Sequence, residues 1–283
     1  MAILGVHTLA VAPAWTPAAA RGFLPWLKEY GVGLMEVPLL RPEEIDVAGT
    51  RAVAREFDIQ LSCSLGLPGY IDSTGDPDSA IAFLTRALEV TARIDAIALS
   101  GVTYGTIGRT SGAPPTVAER DAVARVVEGG ARAARERGLR FGVEPCNRYE
   151  THLVNTIADG VEVVERVGAE NVFVHPDSYH MNIEEVGMAR GIADAGAHLG
   201  YVHASEANRG VPGRGTLDWA GLCQGLAEAE FEGPVVLESF VHLDPDIAAG
   251  LAVWRPVAEE PAEVIDVGLP FLHKHAATAG LPL

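Results

Sequence analysis

The feature that most constrains this chain is a rhythm. Eight short apolar runs alternate with longer, Ala-rich, charge-dotted stretches of helical character. The runs occupy residues 3–7, 33–38, 59–65, 96–102, 139–144, 172–177, 199–203 and 234–238. The helical stretches between them are 18–30, 43–57, 78–94, 116–138, 156–168, 184–196 and 218–229, and 261–275 reads as a closing helix. Eight strand–helix units in 283 residues predict an α/β fold, a single (β/α)8 TIM barrel spanning 1–283 as one domain. The competing architecture, an open doubly wound sheet, wants a Gly-rich phosphate loop after the first strand. Here that strand is followed by TLAVAPAW, which contains no glycine.

Composition narrows the partners. Asp and Glu outnumber Lys and Arg by 38 to 21, a net charge of −17. No basic excess is available to neutralise phosphates, so a nucleic-acid partner is disfavoured, as is an anionic membrane surface. Cys63, Cys146 and Cys223 are odd in number and lack C-x-x-C spacing, which fits a reducing, cytoplasmic compartment. The apolar N-terminus has no basic residue ahead of it and is interrupted by Pro. It is read as a buried first strand, not as a signal peptide or membrane span.

In a (β/α)8 barrel, chemistry sits at the C-terminal ends of the strands. The fifth run ends in Glu144, the sixth in Asp177, the seventh in His203 and the eighth in Glu238. The intervals of 33, 26 and 35 residues each suit one βα unit. A single carboxylate after an apolar run is usually a helix cap or a solvated loop residue. Four metal-ligand side chains on four successive strands are a different matter, because carboxylates in a dry barrel mouth repel unless a cation lies between them. Three carboxylates and one imidazole form a hard, oxygen-rich set. It suits Mn²⁺, Mg²⁺ or Co²⁺, with Zn²⁺ as a further candidate.

At these residues the sequence resembles a known family. VEPCNRYETHLVNT, DSYHMNIEE, YVHASEANRGVPGRGTLDW, VLESF and a late Trp254-Arg255 are similar to the ketose 3-epimerases, which act on D-tagatose, D-psicose (allulose) and L-ribulose within the xylose-isomerase-like barrel superfamily. The specific match covers about residues 142–255, roughly 40% of the chain. The N-terminal half matches mainly by strand rhythm, with Glu36 in a familiar place after the second strand. The resemblance implies that Glu144, Asp177, His203 and Glu238 ligate a divalent metal, Mn²⁺ first and Mg²⁺ or Co²⁺ next. It implies that Glu150, His180 and Arg209 contact the carbonyl end of the sugar. Glu144 and Glu238 are implied as the acid–base pair, removing and returning the C3 proton through a cis-enediolate. The physics is consistent with that assignment: inversion needs a proton to leave one face and arrive on the other, and strands five and eight lie across the mouth from each other. A homodimer or homotetramer is also implied.

Some positions depart from the family pattern. Cys146 stands where an aliphatic residue is usual, Pro176 and Ser178 replace Leu and Thr, and Ala207-Asn208 replaces a more polar pair. His7, Trp15 and the stretch 63–67 either line the substrate pocket or belong to the core. His175, His198, His242, His273 and His275 read as structural or solvated. Other readings stay open at this point. They are a hydroxypyruvate isomerase-like or inosose dehydratase-like relative, a DNA-cutting barrel (which would need extra His ligands and a basic groove), and a sugar- or metal-binding barrel without turnover.

Overall fold

The computed structural model describes residues 1–241, 248 and 250–283; His242 therefore lies outside the described residues. Eight parallel strands form the predicted barrel: β1 Ile3–His7, β2 Leu34–Pro38, β3 Gln60–Ser64, β4 Ala98–Ser100, β5 Arg140–Val143, β6 Val172–Val174, β7 Val202–Ser205 and β8 Pro234–Glu238. Their order is β6-β5-β4-β3-β2-β1-β8-β7. The remaining seam, between β6 and β7, is closed by the parallel bridges Val174–Leu199 and Asp177–His203. There the Gly200 and His203 amides donate to the Val174 and Pro176 carbonyls at 3.1 and 2.9 Å.

Helices α1 Pro17–Glu29, α2 Val47–Glu56, α3 Pro77–Arg93, α4 Val117–Arg135, α5 Ile157–Val167, α6 Ser178–Glu184, α7 Met188–Ala195, α8 Trp219–Glu228 and α9 Gly268–Ala279 surround the strands. Polar caps start most of them. Thr116 and Thr156 each exchange two hydrogen bonds with the acid three residues on, Glu119 and Asp159. Gly168 ends α5 in the left-handed conformation (φ 63°), which costs a glycine little.

The structure corrects three predicted boundaries. The 43–57 stretch divides into a short turn, Pro42–Glu44, and α2, because Asp46 caps a new helix with its side chain on the Gly49 amide. The 184–196 stretch contains only α7. The helix before it, α6, was not expected and is capped by Asp177 itself, whose Oδ1 accepts from the Tyr179 amide at 2.7 Å. The seventh strand starts at Val202 and runs two residues past His203. His203 is thus inside a strand, not at its end.

The barrel interior is layered. Leu34, Ala98, Phe173 and Val236 come from the four even-numbered strands and cluster with Tyr201. Alternate strands contributing one layer is the expected packing of this architecture. Side chains alternate with period two along a strand. Two residues further on, the same four strand paths bring Glu36, Ser100, His175 and Glu238, all buried, to the upper interior. An apolar floor therefore gives way to a polar layer in a single step.

Candidate active site

The polar layer opens into a cavity of about 670 Å³ lined by His7, Glu144, Glu150, His180, Arg209 and Glu238, among others. His203 lines it as well. The Nδ1 atom of His203 is buried and has no hydrogen-bond partner. Three carboxylates from three other elements face it: Glu238 Oε1 at 3.4 Å, Glu144 Oε1 at 3.5 Å and Asp177 Oδ2 at 3.8 Å. Its other nitrogen, Nε2, lies 2.8 Å from Glu36 Oε2. A carboxylate accepts, so Nε2 carries a proton, and Nδ1 is the nitrogen that faces the three carboxylates. A buried imidazole nitrogen ringed by anionic oxygens is a set of donors that fits a divalent cation, which would take the place of a proton there.

Charge is concentrated here. Burial alone would lower the His203 pKa, yet Glu238 and Glu36 outweigh it and hold the ring well above the usual range. Burial raises Glu144 and Glu150. It lowers His180 to about 3 and His7 to about 4. The one guanidinium among these groups, Arg209, donates to Asp177 Oδ2 at 2.6 Å and to Glu238. It stacks 3.8 Å from the Tyr179 ring centre. Arg209 itself is held in the left-handed region (φ 62°), where a non-glycine residue is strained. Glu206 anchors the loop that carries it. The buried Glu206 carboxylate accepts from the amides of Ala207, Gly213 and Leu217 and from the indole of Trp219.

Glu150 and His180 are joined through Asn147. Its amide nitrogen donates to Glu150 Oε1 at 3.0 Å and to His180 Nδ1 at 2.8 Å. Glu150 Oε2 is buried without a partner. The far wall of the cavity is largely apolar, with Leu9, Leu65, Leu67, Val102, Ile107 and Phe240.

Of the residues singled out from sequence, the fold brings Glu144, Asp177, His203, Glu238, Glu150, His180, Arg209 and His7 together. Ser64 to Leu67 also reach the cavity, whereas Cys63 packs in the core. Trp15 is not brought to the cavity. It packs edge-on to Phe23 and donates its indole N–H to Thr50 Oγ1 at 3.0 Å. His175 is wholly buried and bonded to Ser100 Oγ at 2.8 Å, so of the two readings given to it the structural one applies. Sequence reasoning noted Glu36 and Asn147 without giving either a role, and passed over Tyr201. Glu36 had one usable signal, an acid inside an otherwise apolar strand. Asn147 and Tyr201 had none.

Residues 24–257 match the family model described as "Xylose isomerase-like TIM barrel". The L-ribulose 3-epimerase of Methylomonas sp. (strain DH-1) is 33% identical over 274 residues, covering 95% of this chain and 96% of that protein. The chain belongs to the ketose 3-epimerase family. The ketose 3-epimerase of Arthrobacter globiformis is also 33% identical, over 262 residues and 89% of each chain. Among solved structures, a D-allulose 3-epimerase from Methylomonas sp. in complex with D-allulose superposes with a TM-score of 0.91 at 32% identity over 97% of both chains. Ketose 3-epimerases are isomerases, so the DNA-cutting and non-enzymatic readings fall away. Among the described residues, no helix is long and apolar enough to cross a membrane.

Proposed function

We propose that this protein interconverts C3 epimers of free ketoses (D-fructose with D-psicose, D-tagatose with D-sorbose, L-ribulose with L-xylulose) in a metal-dependent reaction. One observation carries the reading. Glu144 and Glu238 approach the same nitrogen, His203 Nδ1, from β5 and β8, at 3.5 and 3.4 Å, and both line the one cavity. Two carboxylates on opposite sides of a bound sugar can exchange a proton on opposite faces of one carbon.

Glu144, Asp177, His203 and Glu238 would hold the metal, Mn²⁺ first. When bound, a divalent cation supplies positive charge that stabilises an anion forming on the sugar oxygens. One carboxylate takes the C3 proton, and the C–H electron pair moves to form the C2–C3 double bond of the enediolate. The other carboxylate, protonated, returns a proton to C3 from the opposite face, and the C2 carbonyl re-forms. The two acids end with their protonation states exchanged, and solvent resets them. Burial raises Glu144, which favours its protonated form. Arg209 and His180 donate to the carbonyl end, while the unpartnered Glu150 Oε2 accepts from a hydroxyl. His7 lines the same cavity and is assigned to the substrate. A single domain, cytoplasmic placement and a homodimer or homotetramer complete the reading. A 29.8 kDa particle by light scattering would overturn the last of these.

The test is turnover. Chelated protein is incubated with D-fructose, D-tagatose, D-psicose and L-ribulose, with and without added Mn²⁺, and the products are separated by chromatography. A C3 epimer restored by metal is expected. An aldose or a dehydrated product instead would overturn the reaction class.

A further inference from the structure

Asn147 is 1% exposed and sits on the loop leaving β5. Its backbone N–H and its side-chain Nδ2 both approach Nδ1 of His180, at 3.2 and 2.8 Å. The orientation of the amide is fixed by its other partners. Oδ1 lies 2.9 Å from the Tyr149 backbone N–H, which can only donate, and Nδ2 lies 3.0 Å from a Glu150 carboxylate oxygen, which accepts. Two donors therefore converge on Nδ1, which must present a lone pair. The ring is then neutral and carries its single proton on Nε2.

That proton points into the cavity. The nearest carboxylate oxygens, on Glu144 and Asp177, are 3.8 and 3.9 Å away, beyond hydrogen-bond range. Arg209 Nη2, a donor, lies in hydrogen-bond range of Nε2 at 3.2 Å, so donors face both ring nitrogens; Nδ1 meets two of them, one at 2.8 Å, and takes the lone pair. Arg209 and the Nε2 proton are then a pair of donors for one acceptor oxygen. His203 is held differently: its Nε2 donates to Glu36, and its Nδ1 faces three carboxylates instead of donors.

We propose that Asn147 is a positioning residue that holds His180 as a hydrogen-bond donor and Glu150 as a hydrogen-bond acceptor toward the same end of the substrate. The inference rests on the ketose reading for its substrate, but its central claim concerns the unliganded protein. The tautomer is read from the imidazole ¹⁵N–¹H correlation spectrum of chelated protein, with His180 assigned by its loss in H180Q. Wild type is expected to show the proton on Nε2, and a proton on Nδ1 would overturn the proposal without any variant at Asn147. Asn147→Asp places a carboxylate oxygen against Nδ1, so the proton should move to Nδ1. Asn147→Ala keeps the backbone donor, so the Nε2 proton should stay while Glu150 is released.

In turnover, both variants should raise KM by about tenfold or more with a smaller change in kcat, the effect of leaving a buried polar group mispaired. A residue that only supports the loop would leave the Asn147→Asp spectrum like wild type, and that result, or a KM within twofold, would sink the idea. If wild type epimerises no ketose, the functional reading falls, whereas the tautomer result stands or falls on its own.

Discussion

Glu36 and His203 meet across the barrel interior, the His203 Nε2–H donating to Glu36 Oε2 over 2.8 Å from a strand three places away in the sheet. The same oxygen accepts from Tyr201 at 2.6 Å, and Tyr201 in turn shares a hydrogen bond with Ser62 at 2.7 Å. Burial disfavours a charged Glu36, but His203 and His7 more than offset it and keep the group ionised. An ionised Glu36 both fixes the tautomer of His203 and raises the basicity of the free nitrogen. Glu36→Gln should therefore weaken Mn²⁺ binding about 10- to 100-fold, measured by competition with a chelator. Affinity within twofold of wild type would show that the bond is only structural.

The two-carboxylate reading predicts an asymmetry between variants. Glu144→Gln and Glu238→Gln should each lower kcat by about 10²- to 10⁴-fold. Each should retain slow solvent exchange of the C3 proton in one epimer only, and the two variants should favour different epimers. Mass spectrometry of sugar recovered from D₂O reads this directly. Exchange into both epimers by one variant would mean that a single base serves both faces.

Trp15 supplies a contrast. Because it packs on Phe23 and bonds Thr50 away from the cavity, Trp15→Phe should leave KM unchanged. It should cost about 0.5–1.5 kcal/mol of stability by urea titration, the worth of one hydrogen bond. A several-fold rise in KM would return Trp15 to the substrate pocket.

Glu206 links stability to pH. Burial works against its charged form, but the donors Trp219, Ala207, Leu217 and Gly213 prevail and lower its pKa. A lowered folded pKa means that its contribution is present above the ordinary carboxylate range and is lost as pH falls through the lower folded value. Glu206→Gln can accept with one oxygen only and leaves donors mispaired, at about 1–3 kcal/mol each. Thermal melts should show a lower Tm near neutrality and a flatter decline below the ordinary carboxylate range than in wild type. Parallel curves would place the acid sensitivity elsewhere.

The three cysteines should be inert in the native state. All are buried, and burial pushes Cys63 up to about 12 and Cys223 up to about 11. Iodoacetamide at pH 8 should label none until the protein is denatured. Rapid labelling of Cys146 would show that the cavity admits the reagent and that the thiol is exposed there.

The sequence by itself determined the barrel and the outer half of the site. Short apolar runs and the helical stretches between them are local signals, and each of Glu144, Asp177 and Glu238 follows or ends such a run, so a linear reading finds them. What only the tertiary structure decided is how these groups are held. Glu36, Tyr201 and Asn147 act on residues that other loops and strands bring to them, and no spacing along the chain encodes a contact between Glu36 and His203, 167 residues apart. The short helix α6 escaped for a related reason: its cap, Asp177, is also a site carboxylate. Trp15 shows the opposite failure, a residue whose chemistry suits a sugar pocket but which the packing of α1 and α2 turns into the core. Strand rhythm is written in local hydrophobicity. The protonation and orientation of a buried imidazole depend on which distant donor or acceptor the closed barrel sets against it.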